Sequence, residues 1–208
     1  MRVVELEPIP PRELLDCLRR TRLNGFDGVQ PYADASLKIE RHDASLLVPA
    51  QSYVLAPGVR RILELRAALA EHGVDLFTLD GGFWLNTDEA PSERIPVIPP
   101  IVECSREPDG REVMLINDGM HRVFAARSLG EQITVVAAYG VPPEYPYYAY
   151  ALPGAWNDVV ELEALPDVFE KKRYRLADNY KALFRNFNEV LPGLQQQRKR
   201  SNPVHLRA

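Results

Sequence analysis

Cysteine is scarce in this 208-residue chain. Cys17 and Cys104 are the only two, too few for a disulfide framework and at a spacing that fits no metal-ligand pattern. Cys17 falls on an apolar helical face and Cys104 beside a strand, so both read as small core residues. Long hydrophobic runs are missing as well. Nothing approaches the roughly 18 consecutive apolar residues of a membrane span. The N-terminal MRVVELEP lacks the apolar stretch of roughly 7–15 residues that a signal peptide carries. Both absences predict a soluble cytoplasmic protein with no membrane partner. Nor is there an excess of charge of one sign. With 25 Lys and Arg against 29 Asp and Glu, the formal net charge is −4, which argues against a protein that coats nucleic acid. The compact basic run Arg198-Lys199-Arg200 lies near the C-terminus and reads as a solvated tail. Internal repeats and low-complexity segments are absent.

What is present suits an ordinary globular core. Apolar residues make up 46% and charged residues 26%, which suggests one domain, with room for an appended lobe. A short strand at 2–6 precedes a helix opened by Pro10 and Pro11, with Leu14, Leu15 and Leu18 on its apolar stripe. Residues 24–58 carry Gly, Pro and Asp punctuation around candidate strands at 36–41 and 45–48. A second helix spans 58–72, with Ile62, Leu65 and Leu69 on one face and Gly73 at its stop. TLDGGFWLN (78–86) contains a turn. IVEC (101–104) and REVMLI (111–116) form a hairpin through the Pro-Asp-Gly turn at 108–110. A helix follows at 119–129, then a strand at 132–139, expected to lie beside the 112–117 strand. The tail carries Tyr145, Tyr147, Tyr148 and Tyr150. A final helix is expected at 173–190, with Leu176, Tyr180, Leu183, Phe184 and Phe187 on one face. The fold class that follows is α/β (α+β), a small mixed sheet with helices and a C-terminal helical extension. The core is drawn at 1–141 with an insertion at about 24–94, and the extension at 142–208.

The chemistry concentrates in INDGMHRVFAARSLG, residues 116–130. A strand running into a helix presents the helix's unpaired N–H groups and positive dipole end, a ready anion site. Gly119 permits close approach to the backbone. Arg122 supplies a planar donor fork for phosphate oxygens, and His121 can donate, accept or relay a proton. Asp118 repels a phosphate, which makes sense if it holds a divalent metal, orients a hydroxyl or braces Arg122. A plainer account also fits: Asp118 caps the helix, Gly119 serves the turn, and His121 and Arg122 sit on an exposed face.

The order strand–DGxHR–apolar helix–Leu-Gly–strand, as it stands in LINDGMHRVFAARSLGEQITVVAAYGV, resembles the ParB/sulfiredoxin superfamily, whose members bind nucleotide phosphates at this helix start. PVIPPIVECSREPDGREVMLI is similar to the strand–turn–strand that leads into it there, and RVVELEPIPPRELL to the first strand. The match covers about 95–141, with residues 1–23 matching loosely. Two departures narrow the comparison. Met120 stands where sulfiredoxins carry their catalytic cysteine, which argues against sulfinic-acid reduction. The Arg-rich step and following helix-turn-helix of chromosome-partitioning ParB proteins are not evident. The DGxHR form is closer to the ADP-dependent free serine kinase branch.

That resemblance implies a nucleotide-dependent phosphotransferase that uses ATP or ADP with Mg²⁺ and acts on a small hydroxyl compound, an amino acid among the candidates. Gly119, Met120, His121 and Arg122 would bind the phosphates. Asp118, His121 and a second carboxylate would carry the chemistry, with Asp118 also the metal ligand. Glu40, in KIERHD, is the first choice for that carboxylate and Glu103 the second, with His42 placed like Glu40. GGFWLN (81–86), the four tyrosines, Arg173, Arg175 and Arg198 are weaker candidates for base or anion contacts. A non-catalytic ParB-type nucleotide switch or DNA-associated protein is the alternative, with a nuclease more remote. The acceptor, the nucleotide and the oligomeric state are not fixed by these residues.

Overall fold

The computed structural model describes residues 1–194, so the basic run at 198–200, with Arg198, lies outside the described residues. The chain forms β1 (Val3–Ile9), α1 (Pro11–Arg19), β2 (Ser36–Asp43), β3 (Tyr53–Leu55), α2 (Ala56–Ala70), β4 (Gly82–Thr87), β5 (Ala90–Val97), β6 (Ile101–Arg106), β7 (Glu112–Asp118), α3 (Met120–Ser128), β8 (Gln132–Tyr139), β9 (Val160–Leu162) and α4 (Phe187–Val190). The fold class is mixed α and β, as the pattern of residues predicts. Among the described residues no helix is long and apolar enough to cross a membrane.

The main sheet has the order β2-β8-β6-β7. The turn at 107–110 makes β6 and β7 an antiparallel hairpin, with Glu103 opposite Leu115, while β8 pairs parallel with β6 and antiparallel with β2. This corrects one expectation. The 132–139 strand shares a sheet with the 112–117 strand, but β6 lies between them. The short hairpin takes the inner edge of β7, so the chain leaving α3 must cross to the free edge of β6. A second sheet, β1-β4-β5, is antiparallel, and β3 pairs with β9 in a parallel two-stranded patch.

Alternation along the strands gives the main sheet two apolar faces, because successive side chains point to opposite sides. Val102, Ile116, Ile133, Val135 and Ala137 pack under α2 and α3, through Val59, Leu69, Val123 and Ala126. Leu37, Ile101, Val136 and Ala138 pack on the other side against Leu14 and Leu18 of α1, with Tyr32 and Phe187. Residues 24–94 therefore supply β2, β4, β3 and α2, the first two as strands of the two larger sheets and the others packed into the core beside them. The expected strand at 45–48 is instead a short 3₁₀ turn, Ala44–Leu46, after which Val48 bridges to Leu115 at the outer edge of β7. TLDGGFWLN turns before Gly82 and continues as β4.

The predicted helix at 173–190 does not form. Its backbone groups are taken by other segments, and a group can serve only one ladder. Arg175 N–H donates to Tyr148 O, Gly25 N–H to Ala182 O, and Asn24 N–H to Phe184 O. Only a 3₁₀ turn at Tyr180–Leu183 and the four-residue α4 remain helical. The aromatic spacing that suggested a helix serves stacking instead: Tyr180 lies 3.9 Å from Tyr174, and Phe184 lies 4.4 Å from Tyr148.

This segment is tied to the sheet by a buried ion pair. Arg185 donates through Nε and Nη2 to the two oxygens of Glu103, at 2.8 and 2.9 Å. Both side chains are almost fully buried. Removing one partner of such a pair leaves an uncompensated charge in a low dielectric. Arg185→Met should therefore destabilise the fold by about 3–5 kcal/mol, and adding Glu103→Gln should recover part of the loss. Chemical denaturation of the two variants measures both.

Candidate functional site

The strand–helix junction is fixed by Gly119. It has φ +86°, and a Cβ at this position would lie 2.7 Å from Pro100 Cβ. Left-handed backbone pressed against a proline leaves room for glycine alone. The turn reverses β7 into α3, whose first turn has no side-chain cap. The opening N–H groups of a helix have no partner within it, so the junction offers donors and a positive dipole end.

His121 is held by the start of another helix. Leu55 N–H, at the N-cap of α2, donates to His121 Nε2 at 3.0 Å. A backbone N–H can only donate, so Nε2 is the acceptor and the neutral ring carries its proton on Nδ1. The imidazole sits against Gly58, where a Cβ would meet Cδ2 at 2.7 Å. Two helix starts, α2 and α3, therefore meet around one histidine.

Arg122 points into the protein. It donates to the backbone carbonyl of Ile98, and its Nε is buried with no hydrogen-bond partner. Burial pushes the guanidinium down to about 10, with the charge of Asp118 opposing the shift. Arg122 therefore braces the connection between β5 and β6 as well as facing the junction. The fork expected to grip phosphate, which the capping account would leave on an exposed face, is instead a half-buried cation with Asp118 as its electrostatic neighbour. A charge in that setting is biased towards an anion.

The other candidates separate. Glu40 lies on β2, with β8 and β6 between it and β7. Three strand spacings make that roughly 14 Å, so the structure does not bring Glu40 to Asp118. Glu40 instead accepts hydrogen bonds from His42 Nε2, at 2.8 Å, and from Tyr139. Burial works to raise the Glu40 carboxyl, but those two bonds bring it below its ordinary value. The bond to Glu40, then burial, pushes the Tyr139 phenol up to about 12. Glu103 is committed to Arg185, Tyr32 (2.5 Å) and Asn117 (2.6 Å). Trp84 sits in β4 with Arg94 over its ring, and Arg175 pairs with the buried Glu107 at 2.5 Å. Tyr147 is buried against Leu115, while its hydroxyl donates to Asn117 O at 3.2 Å. Asp118 and the 119–122 step thus share one place, and Glu40, Glu103, His42 and Trp84 do not join it. Leu55 and Gly58 were missed because Ala-Pro-Gly at 56–58 reads as an ordinary helix start, and nothing in the sequence couples it to His121.

Among the described residues, no group of three or more His, Cys, Asp or Glu side chains gathers to hold a metal ion. A shallow depression of about 350 Å³ lies on α1, lined by Pro10, Arg12, Glu13, Asp16, Cys17 and Arg20. It includes no residue of the junction and has no converging catalytic set.

Arranged around a β-hairpin, a left-handed glycine and a His-Arg helix start, the residues 13–160 match the family model described as the ParB CE domain. The chain belongs to the ParB CE domain family. No curated protein and no solved structure matches it. The matched region of this ParB CE domain runs from α1 to the start of β9 and contains the whole β7–α3 junction.

Gly119 gives the most direct test of the junction's geometry. Gly119→Ala should cost about 1–3 kcal/mol of stability, the scale for a non-glycine residue held in a rare backbone region, plus whatever Pro100 must move. Thermal denaturation reads the loss. A variant as stable as wild type would mean the turn can relax away from Pro100.

Proposed function

We propose that this ParB CE domain binds the phosphates of ATP or ADP at the β7–α3 junction and transfers a phosphoryl group to a small hydroxyl compound, such as a hydroxyl amino acid. One observation carries the reading. A half-buried guanidinium, its Nε buried and unpaired, and a carboxylate stand together at a helix start without a side-chain cap. Phosphoryl transfer asks for little else, because positioning and charge neutralisation supply most of its catalysis.

In this reading the amides of Gly119, Met120 and His121 cradle phosphate oxygens, and Arg122 supplies the fixed positive charge. His121, held by Leu55 N–H, ties α3 to the start of α2 and carries its proton on Nδ1. Asp118 orients the acceptor hydroxyl and takes its proton. The acceptor oxygen bonds to the terminal phosphorus as the bridging P–O bond breaks, and the nucleotide leaves one phosphate shorter. Mg²⁺ is commonly held by one or two carboxylates together with phosphates and water. Asp118 fits as the single protein ligand of such an ion, which would supply further charge neutralisation.

A non-catalytic nucleotide switch is the second reading. It is favoured by the places of the two expected carboxylates, since Glu40 stands across the sheet and Glu103 is bound to Arg185.

Variants at Asp118 and Arg122 test these readings. Asp118→Asn keeps the size of the side chain and removes its charge. Turnover should fall by about two orders of magnitude or more, on the scale of general-base and metal contributions, while affinity measured without metal holds or improves. Arg122→Ala should weaken nucleotide binding by about 1.5–3 kcal/mol, with some loss of stability because the bond to Ile98 goes too. Arg122→Lys, which keeps charge without the fork, tests the same point with less disturbance. A panel of nucleotides and hydroxyl amino acids assayed for phosphate transfer, with calorimetry of each variant, reads both outcomes. Tight binding without transfer to any acceptor would favour the switch.

A further inference from the structure

Lys172 has an unusual setting. Its ammonium is half-buried and donates to Tyr147 Oη at 2.8 Å and to Tyr148 Oη, over whose rings it also lies. Two of its three donors are thereby used. It forms no ion pair with a described residue, whereas Arg175 and Arg185, further along the same segment, each face a buried carboxylate. The Tyr147 phenol does not neutralise it. Burial, and then Tyr148, hold the Tyr147 hydroxyl well above its ordinary range, so it stays uncharged.

The position of this cation makes it informative. Residues 169–175 form a strap. Ser52 holds one end, donating through its hydroxyl to Glu170 O at 2.6 Å and through its N–H to Lys171 O at 3.1 Å. Tyr150 N–H to Arg173 O and Arg175 N–H to Tyr148 O hold the other, at 2.9 and 3.0 Å. Ser52 lies just ahead of β3, whose last residue, Leu55, holds His121. Tyr147, which accepts from Lys172, donates onward to the carbonyl of Asn117. The ammonium is therefore two hydrogen bonds from the residue that precedes Asp118, on a segment unrelated to α3. A cation partly withdrawn from water and lacking a counter-charge favours an anionic ligand.

We infer that Lys172 contacts the phosphate chain of a nucleoside di- or triphosphate bound at the junction, adding a second cation to Arg122 from the strap. This rests on the phosphate-binding reading of the junction and adds to it a residue and a ligand class. Two cations from separate segments, set against the carboxylate of Asp118, suit more than one phosphate. The ammonium would exchange a phenol for a phosphate oxygen without crossing the site, and the strap's backbone bonds need not change.

Calorimetry on the full chain, without metal, with ADP, inorganic pyrophosphate and AMP as probes, tests this. Lys172→Met should weaken ADP and pyrophosphate roughly tenfold or more, the scale of one lost charged hydrogen bond. AMP should weaken less, and Lys172→Arg should restore part of the loss. A purely structural role would lower the melting temperature without changing the preference for ADP over AMP. ADP affinity within about twofold of wild type in Lys172→Met, while Arg122→Lys has lost binding, would overturn the role of Lys172 and leave the junction standing. No binding of any probe by wild type would overturn both.

Discussion

The Glu103–Arg185 pair is the constraint on which the arrangement of this domain depends. Glu103 is on β6, the strand that lies between β7 and β8, and Arg185 comes from a segment without regular structure of its own. A charge so deeply buried is tolerable only when its hydrogen-bonding capacity is met. Here it is met from five directions. Glu103 also accepts from Tyr32 and Asn117, while Arg185 also donates to the carbonyls of Tyr145, Pro146 and Leu183. The loop before β2, the end of β7, the tyrosine-rich segment and the C-terminal segment are all fastened to one ion pair. Burial raises the Tyr32 hydroxyl, and the Glu103 charge raises it further, so the phenol remains a donor and the network holds together.

That fastening bears on the site. Asn117, one residue before Asp118, is held on one side by Glu103 and on the other by the Tyr147 hydroxyl. The strand end that presents Asp118 is thus braced by the same network that places Tyr147 and Lys172 nearby. From the opposite direction, Arg122 braces the segment at Ile98, and His121 ties α3 to the start of α2. A junction supported from both directions keeps its donors oriented, which is the form of preorganisation that the proposed anion binding and transfer would require.

Much of the core was legible along the chain. The hairpin with its Pro-Asp-Gly turn, the 132–139 strand and the helix between them all follow from local pattern, because turn chemistry and alternation act over a few residues. The DGMHR step was legible for the same reason: a helix start, a glycine and a basic pair are neighbours in sequence. The candidate partners were not. Glu40 and Glu103 are each polar residues in short strands, and sequence offers no ground for choosing between a site carboxylate and a buried counter-ion. The final helix failed because its spacing of aromatics satisfied a helical period while its backbone found partners in residues 24, 25 and 148.

The sequence by itself determined the class of fold, the β7–α3 junction and the electrostatic character of its five residues, since each depends on contacts spanning only a few positions. Tertiary structure alone decided strand order, with β6 placed between β7 and β8. It also decided the commitment of Glu103 to Arg185, the meeting of His121 with Leu55 and Gly58, and the placing of Lys172 beside Tyr147. These pairings join residues tens of positions apart. Whether a buried charge finds its partner there depends on packing that no local period encodes.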